Sequence, residues 1–399
     1  MRFAIFHALC ALWVIWRFWL PLRVSQTIKL SGVIGTILIA LFPAVTATFF
    51  GGLISPEVPA WVLIIGNGAT FTLVLLSLLT LCREVIIFAS VLAGRSGERT
   101  HQLVQKDKRV ALGMTLASVT LATLGVREGI KVPDVHEMIL PIKDCPKAFE
   151  GFRIVQLSDL HASALLCEPH MAALVEKVNA LHPDLIVITG DIVDGEVAAR
   201  DKDVAPLAKL KAPYGVIAVE GNHEHYVDYE GWMKKLPTLG MTVLRNECIT
   251  LQRDGATLTI GGVTDPWGRR FGRTLPDPVK AFEKAPENGP RILLSHQPKY
   301  ANDFDDAVRF DVQLSGHTHG GQLYGLDKGV AILNHMFVRG WYQLKRAVMY
   351  VHPGSGLWNG FPVRLGVPAE VALFTVKNLN FSQTIRRDCP NSAVNLLSR

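Results

Sequence analysis

The sequence predicts a layered α/β domain preceded by an apolar helical region that spans a membrane. Three observations carry this. The chain has 399 residues, too many for one ordinary core. Residues up to about Val126 hold long charge-free apolar runs, whereas those from about Arg127 read like a soluble domain. From Gly151 onward, apolar runs of strand length alternate with helical patterns, as in α/β folds rather than bundles or β-sandwiches.

A spanning helix needs about 20 mostly apolar residues. Val33–Ile54 and Trp61–Leu81 satisfy this. Phe3–Leu20 is long enough but contains His7 and Arg17, whose guanidinium can snorkel to the interface. Val110–Val126 is short, rich in Ala, Thr and Gly, and preceded by Lys108-Arg109, a partial match to an export signal. Read as about four spans, residues 1–126 form a transmembrane anchor. Residues 127–150 form a linker with a leading strand, and residues 151–399 form the soluble domain.

Short-loop basic residues set orientation. The first loop carries Arg17, Arg23 and Lys29 at its edges, and the third carries Arg95, Arg99, Lys106, Lys108 and Arg109. The second, around Ser55–Pro59, has Glu57 and no basic residue. The expectation is a multi-pass protein of the cell (inner) membrane with its large domain on the extracytoplasmic side.

The formal net charge of +6 suits an anionic substrate or a membrane surface. No dense Lys/Arg tract interleaves with aromatics, which argues against a nucleic-acid partner; no protein partner is indicated. Of six cysteines, Cys10 and Cys82 fall in apolar runs, and Cys145, Cys167, Cys248 and Cys389 in the soluble part. None forms a C-x-x-C pair, so a thiolate metal site is not expected, and two disulfides are permitted but not required.

In the soluble part, Phe152–Leu157, interrupted by Arg153 and Gln156, and Leu185–Thr189 are apolar runs, as in strands buried on both faces. Between them Met171–Leu181 has helical spacing, closed by Pro183. Val216–Val219, Ile292–Leu294 and Val312–Leu314 are further strands, Leu258–Val263 and Val348–Val351 added ones, with helices near Leu207, Trp232 and Val279.

Five polar blocks each follow a core strand: Ser158 to His161, Gly190 to Asp194, Gly221 to Glu224, Ser295-His296, and Gly316 to His319. Ligands of open α/β sheets bind beyond the carboxyl ends of strands. Carboxylate, imidazole and amide oxygen donors suit Mn, Fe or Zn. The donors are too many for one ion. Two divalent ions about 3.5–4 Å apart, bridged by a carboxylate and a hydroxide, would use them all and would clamp a phosphoryl group.

In this order, Asp159-Leu160-His161, Gly190-Asp191 with Asp194, Gly221-Asn222-His223-Glu224, Ser295-His296 and Gly316-His317-Thr318-His319 resemble the calcineurin-like metallophosphoesterases. The match runs from roughly Gly151 to Val376. Gly320-Gly321-Gln322, Gly340-Trp341-Tyr342 and Tyr350–Gly356 look like the membrane-associated bacterial branch (YkuE/YaeI type). The resemblance implies a four-layer α/β/β/α sandwich. It implies that Asp159, His161 and His319 bind a first metal and Asn222, His296 and His317 a second, with Asp191 bridging. His223 would be the general acid at the leaving-group oxygen, and Asp194 would hold its imidazole. Glu224 stands where Asp is also common and receives no catalytic task.

The function expected is hydrolysis of a phosphomonoester or phosphodiester by hydroxide shared between the metals. A lipid-linked substrate would suit an anchored enzyme. The alternative is a membrane-bound phosphate-ligand sensor without turnover, which could tolerate loss of a ligand; here every position is filled. Transport is disfavoured because the apolar helices hold few ionisable residues away from their ends. Single residues are read more plainly. His225 is expected at the surface. Asp265-Pro266-Trp267 with Arg269, Arg270 and Arg273 reads equally as a substrate lid or a solvated loop. Met336, Phe337, Trp341 and Tyr342 are expected in the core rather than as an apolar rim touching lipid.

Overall fold

The computed structural model describes residues 2–50, 57–93 and 105–379. Ser55, Arg95, Arg99 and Cys389, used above for loop charge and cysteine pairing, lie outside them. The chain forms two compact units, one of Met1–Glu128 with Asn359–Leu365, the other of Gly129–Trp358 with the chain from Gly366.

The first unit is helical: α1 (Arg2–Val14), α2 (Gln26–Phe49), α3 (Ala60–Leu92) and α4 (Lys108–Ile130). Of these α2, α3 and α4 are long and apolar enough to cross a membrane. α1, continued by a π-helical turn at Ile15–Trp19, is shorter, so the first of the four expected spans has less length than the rest. Cys10, Val14, Phe18, Ala40, Leu73 and Leu76 pack together inside the unit. Many other apolar side chains point outward, among them Leu38, Ile65 and Phe88, as lipid-facing helices require. Arg17 does not snorkel alone: it pairs with Glu84, which also binds Arg83 at 2.7 Å. An apolar environment favours such pairing over an isolated charge.

The second unit holds two six-stranded sheets. The first has the order β1 (Asp134–Pro141), β12 (Glu370–Lys377), β2 (Arg153–Leu157), β3 (Leu185–Thr189), β4 (Val216–Val219) and β5 (Met241–Val243). The second runs β10 (Gly340–Gln343), β11 (Val348–Val351), β9 (Val312–Ser315), β8 (Arg291–Leu294), β7 (Ala256–Gly262) and β6 (Glu247–Arg253). β2, β3 and β4 are mutually parallel, as are β7, β8 and β9. β12 returns between β1 and β2, parallel to the former and antiparallel to the latter.

Alternation explains the layering. Ile154, Leu185, Val187 and Phe374 of the first sheet meet Ile260, Ile292, Leu314 and Tyr350 of the second in one core. The residues of opposite register are buried too: Val155, Ile186 and Ile188 in the first sheet, Leu293 and Met349 in the second. Leu293 and Met349 pack with Ala281, Ala301 and Phe304 of the short helices Pro278–Ala281 and Ala301–Ala307. The helix Glu168–Asn179 buries Met171, Leu174, Val175 and Val178 on one stripe. The result is a mixed α/β sandwich in which the central strands have both faces covered.

Candidate metal centre

The loops leaving β2, β3, β4, β8 and β9 carry all five polar blocks, so the carboxyl ends of both sheets converge on one cluster. These loops are tight. Asp159, His161, Asp191, His317 and His319 all have positive φ, between 46° and 73°. Non-glycine residues rarely adopt this region, and such strain concentrates at functional sites. Gly316 is required for packing, because a Cβ there would collide with Ser158 Oγ and Asp159 Oδ2.

Two groups of donors form. His161 Nε2 lies 3.1 Å from His319 Nε2, which lies 3.5 Å from Asp159 Oδ1. His296 Nε2 lies 3.2 Å from Asp191 Oδ2, 3.1 Å from Asn222 Oδ1 and 3.3 Å from His317 Nδ1. Asp191 Oδ2 also lies 3.9 Å from His161 Nε2, between the groups. Donors about 2.0–2.2 Å from one cation sit about 3–3.5 Å from each other, so these spacings and this N/O set fit divalent ions. Asp159 with His161 and His319, and Asp191 with His296 and His317, are each close enough to hold one.

His223 Nδ1 binds Asp194 Oδ1 at 2.6 Å, leaving Nε2 3.9 Å from Asp191 Oδ2. The structure thus brings together all nine residues singled out from the sequence. Asp194 has a further contact that the motif does not reveal: the same oxygen meets His161 Nδ1 at 3.1 Å. One carboxylate therefore orients both a candidate ligand and the candidate acid.

The electrostatics follow from burial and proximity. Burial, and then the Asp191 charge after the opposing His296, push Asp159 up. Burial would raise Asp191 as well, but His296 and His223 hold it well below the usual carboxylate range. Burial works against protonated His223, yet Asp191 and Asp194 outweigh it and lift it to about 9. Burial and the neighbouring His296 push His317 down to about 3. The carboxylates attract positive charge in either form, a proton on His296 or a cation in its place.

Two further residues support the site in ways the sequence does not announce. Glu224 accepts the backbone N–H groups of Gly221 at 2.6 Å, Asp191 at 3.1 Å, Ile192 at 2.7 Å and Val193 at 3.3 Å. It thereby ties the β3 loop to the β4 loop. Tyr226 Oη accepts from Asn222 Nδ2 at 3.0 Å, which turns the amide oxygen toward His296. The one signal for both is position, since each adjoins or closely follows a ligand block. His225 is the correction: it is buried, not at the surface, with Nε2 3.0 Å from Glu220 and Nδ1 3.0 Å from Arg273. The buried Glu220 carboxylate needs such donors.

The Asp265 segment lies beside the site. Asp265 is buried and accepts from Gln297. The Trp267 ring centre is 5.5 Å from that of Tyr226, which itself lies 4.8 Å from that of His223. Phe337 and Tyr342 belong to the core and Trp341 packs against it, but Met336 is exposed, contrary to expectation. It follows a helix whose outer face carries other exposed apolar side chains.

The sequence model of the calcineurin-like phosphoesterase family matches residues 152–321. A metallophosphoesterase of Helicobacter pylori is 34% identical over 262 residues, covering 65% of this chain and 68% of that protein. YkuE of Bacillus subtilis, a metallophosphoesterase, is 35% identical over 242 residues, covering 59% and 82% respectively. A transmembrane protein with metallophosphoesterase domain from Bos taurus is 34% identical, covering 70% and 66%. Among solved structures, a 5'-nucleotidase precursor from Thermus thermophilus is similar with 16% identity and a TM-score of 0.37. That similarity covers 56% of this chain, which spans about half, 54%, of that structure's length.

The chain belongs to the calcineurin-like metallophosphoesterases. It is a metal-dependent phosphoesterase, a hydrolase, with apolar helices that associate it with a membrane.

Proposed function

We propose that the chain hydrolyses a phosphomonoester or phosphodiester at a dinuclear centre. Asp159, His161 and His319 would hold one divalent ion, Asn222, His296 and His317 the other, with Asp191 shared between them. Mn, Fe and Zn all suit these donors. When bound, such a pair would supply positive charge for the phosphoryl oxygens and would acidify the attacking water. The chain's own part is to orient and to move a proton. His223 donates from Nε2 to the departing oxygen, and Asp194 fixes its Nδ1.

One observation carries this reading: His223 Nε2 faces Asp191 Oδ2 at 3.9 Å, beside the two donor groups. A sensor has no use for a proton donor held there. The full chain with Mn is expected to hydrolyse an aryl phosphate or its methyl diester, and Asp191→Ala to lose this. Undiminished turnover by Asp191→Ala overturns the proposal.

The catalytic unit belongs, in this reading, on the extracytoplasmic side of the cell (inner) membrane. Basic residues put the loop before α4 in the cytoplasm, and α4 then crosses outward. The assignment depends on α4 crossing and not on α1. A reporter fused after Arg399 should behave as external; cytoplasmic behaviour refutes the topology. Anchoring also favours a phosphate displayed at the bilayer, such as a lipid-linked one.

A further inference from the structure

The catalytic unit exposes few large apolar side chains, and they are not evenly spread. Phe271, Leu275 and Val279 are three; the other five among the described residues are Tyr324, Leu326, Ile332, Leu333 and Met336, within one short stretch. Tyr324, Ile332 and Leu333 are 81%, 69% and 78% exposed. Scattered exposed apolar residues need no explanation, whereas a concentration marks an interaction surface.

This stretch leaves the loop that carries His317 and His319 and contains the helix Leu326–Leu333. It is held firmly at its base. Ala331, Asn334 and Phe337 are buried, and Asp327 binds Arg339 at 3.1 Å. Arg339 also donates to the carbonyl of Gly320 at 2.7 Å, next to His319. The base of the stretch is therefore tied to the loop that carries His319. Lys328 and His335 are the polar side chains exposed on this stretch. Its one acid, Asp327, is turned to Arg339.

We propose that Tyr324–Met336 is an interfacial element that lies in the surface of a lipid bilayer, so that the centre acts on phosphate carried by an amphiphile. Aromatic and aliphatic side chains accompanied by basic and not acidic ones are what an anionic bilayer surface accepts. A bilayer is at hand because α2, α3 and α4 of the same chain have the length and hydropathy to cross one. The occupant is therefore lipid, not a second copy of the chain. The inference rests on the phosphoesterase reading for its substrate, but not for its docking.

The test uses the full chain in vesicles containing anionic lipid. Its probes are an aryl phosphate with a hexadecyl chain and the same aryl phosphate without it, each as monoester and as methyl diester. The double variant Ile332→Glu, Leu333→Glu is expected to lose about tenfold or more in kcat/KM on the chain-bearing ester, since charged side chains leave the interface. The chainless ester should be unaffected, and Val279→Glu should change neither. Equal rates on both esters in the double variant and the wild type overturn the proposal, and so does a parallel fall on both. A chain-bearing rate that depends on the protein-to-lipid ratio overturns it in favour of a second copy.

A second readout needs no turnover. The emission added by Leu333→Trp should be quenched by brominated lipid, and that added by Val279→Trp should not. Absence of quenching at 333 overturns the docking whatever the activity. A wild type inert toward the chain-bearing and the chainless esters alike refutes the phosphoesterase reading instead, and quenching then still decides the docking.

Discussion

Glu224 accepts the backbone N–H of Ile192 at 2.7 Å, across 32 positions of sequence. With its bonds to Gly221, Asp191 and Val193, this carboxylate joins the loop that offers Asp191 to the loop that offers Asn222 and His223. The two loops are therefore placed by one buried side chain as well as by their strands.

Glu224→Gln should weaken both fold and site. An amide offers one acceptor oxygen and turns N–H donors toward N–H donors. The expected cost is about 1–3 kcal/mol of stability and about 10–100-fold in metal affinity. Thermal unfolding and metal titration measure these. Unchanged metal affinity contradicts the tie.

His223→Asn should separate binding from chemistry. Metal content should stay at the wild-type level while kcat falls by about 10²–10⁴. The loss should be smaller for an aryl ester, whose leaving group needs little protonation, than for an alkyl ester. Equal losses on the two would remove the general-acid role.

Legibility in the sequence differs from residue to residue for physical reasons. Asp159, Asp191, Asn222, His296 and His317 can be read because each follows a short, mostly apolar strand, and parallel strands deliver their ends to one edge. The supporting roles of Glu224 and Tyr226 cannot, because their partners are backbone groups and an amide rotamer fixed only by the fold. Asp194 can be read as serving His223, but its contact with His161 depends on how the β2 and β3 loops face each other. The burial of His225 is hidden because an isolated histidine carries no sign of a buried carboxylate such as Glu220 five positions earlier. β12 is not among the strands expected from the sequence, and its insertion between β1 and β2 is a long-range pairing with no local signature.

Asp194→Asn should do more harm than His223→Asn. It disturbs His223 and His161 together, since both Nδ1 atoms meet Asp194 Oδ1. Metal content, unchanged in the first variant, should drop in this one. Intact metal content in Asp194→Asn would show that the contact with His161 does not matter.

Chelation should abolish activity and lower the unfolding temperature, with Mn restoring both. Asp159 and Asp191 are buried among imidazoles, and ligands that bind only the folded state stabilise it by about 3–4 kcal/mol at 100–1,000 times Kd. A chain equally stable and active after chelation is not a metalloenzyme.

Whether Asp191 joins two cations into one centre can be measured by titrating the metal-stripped full chain with Mn, following bound metal and aryl phosphate hydrolysis in the same samples. Two equivalents should bind, activity should rise with the second, and both features should vanish in Asp191→Ala. Full activity at one equivalent, or in Asp191→Ala, would contradict a shared centre.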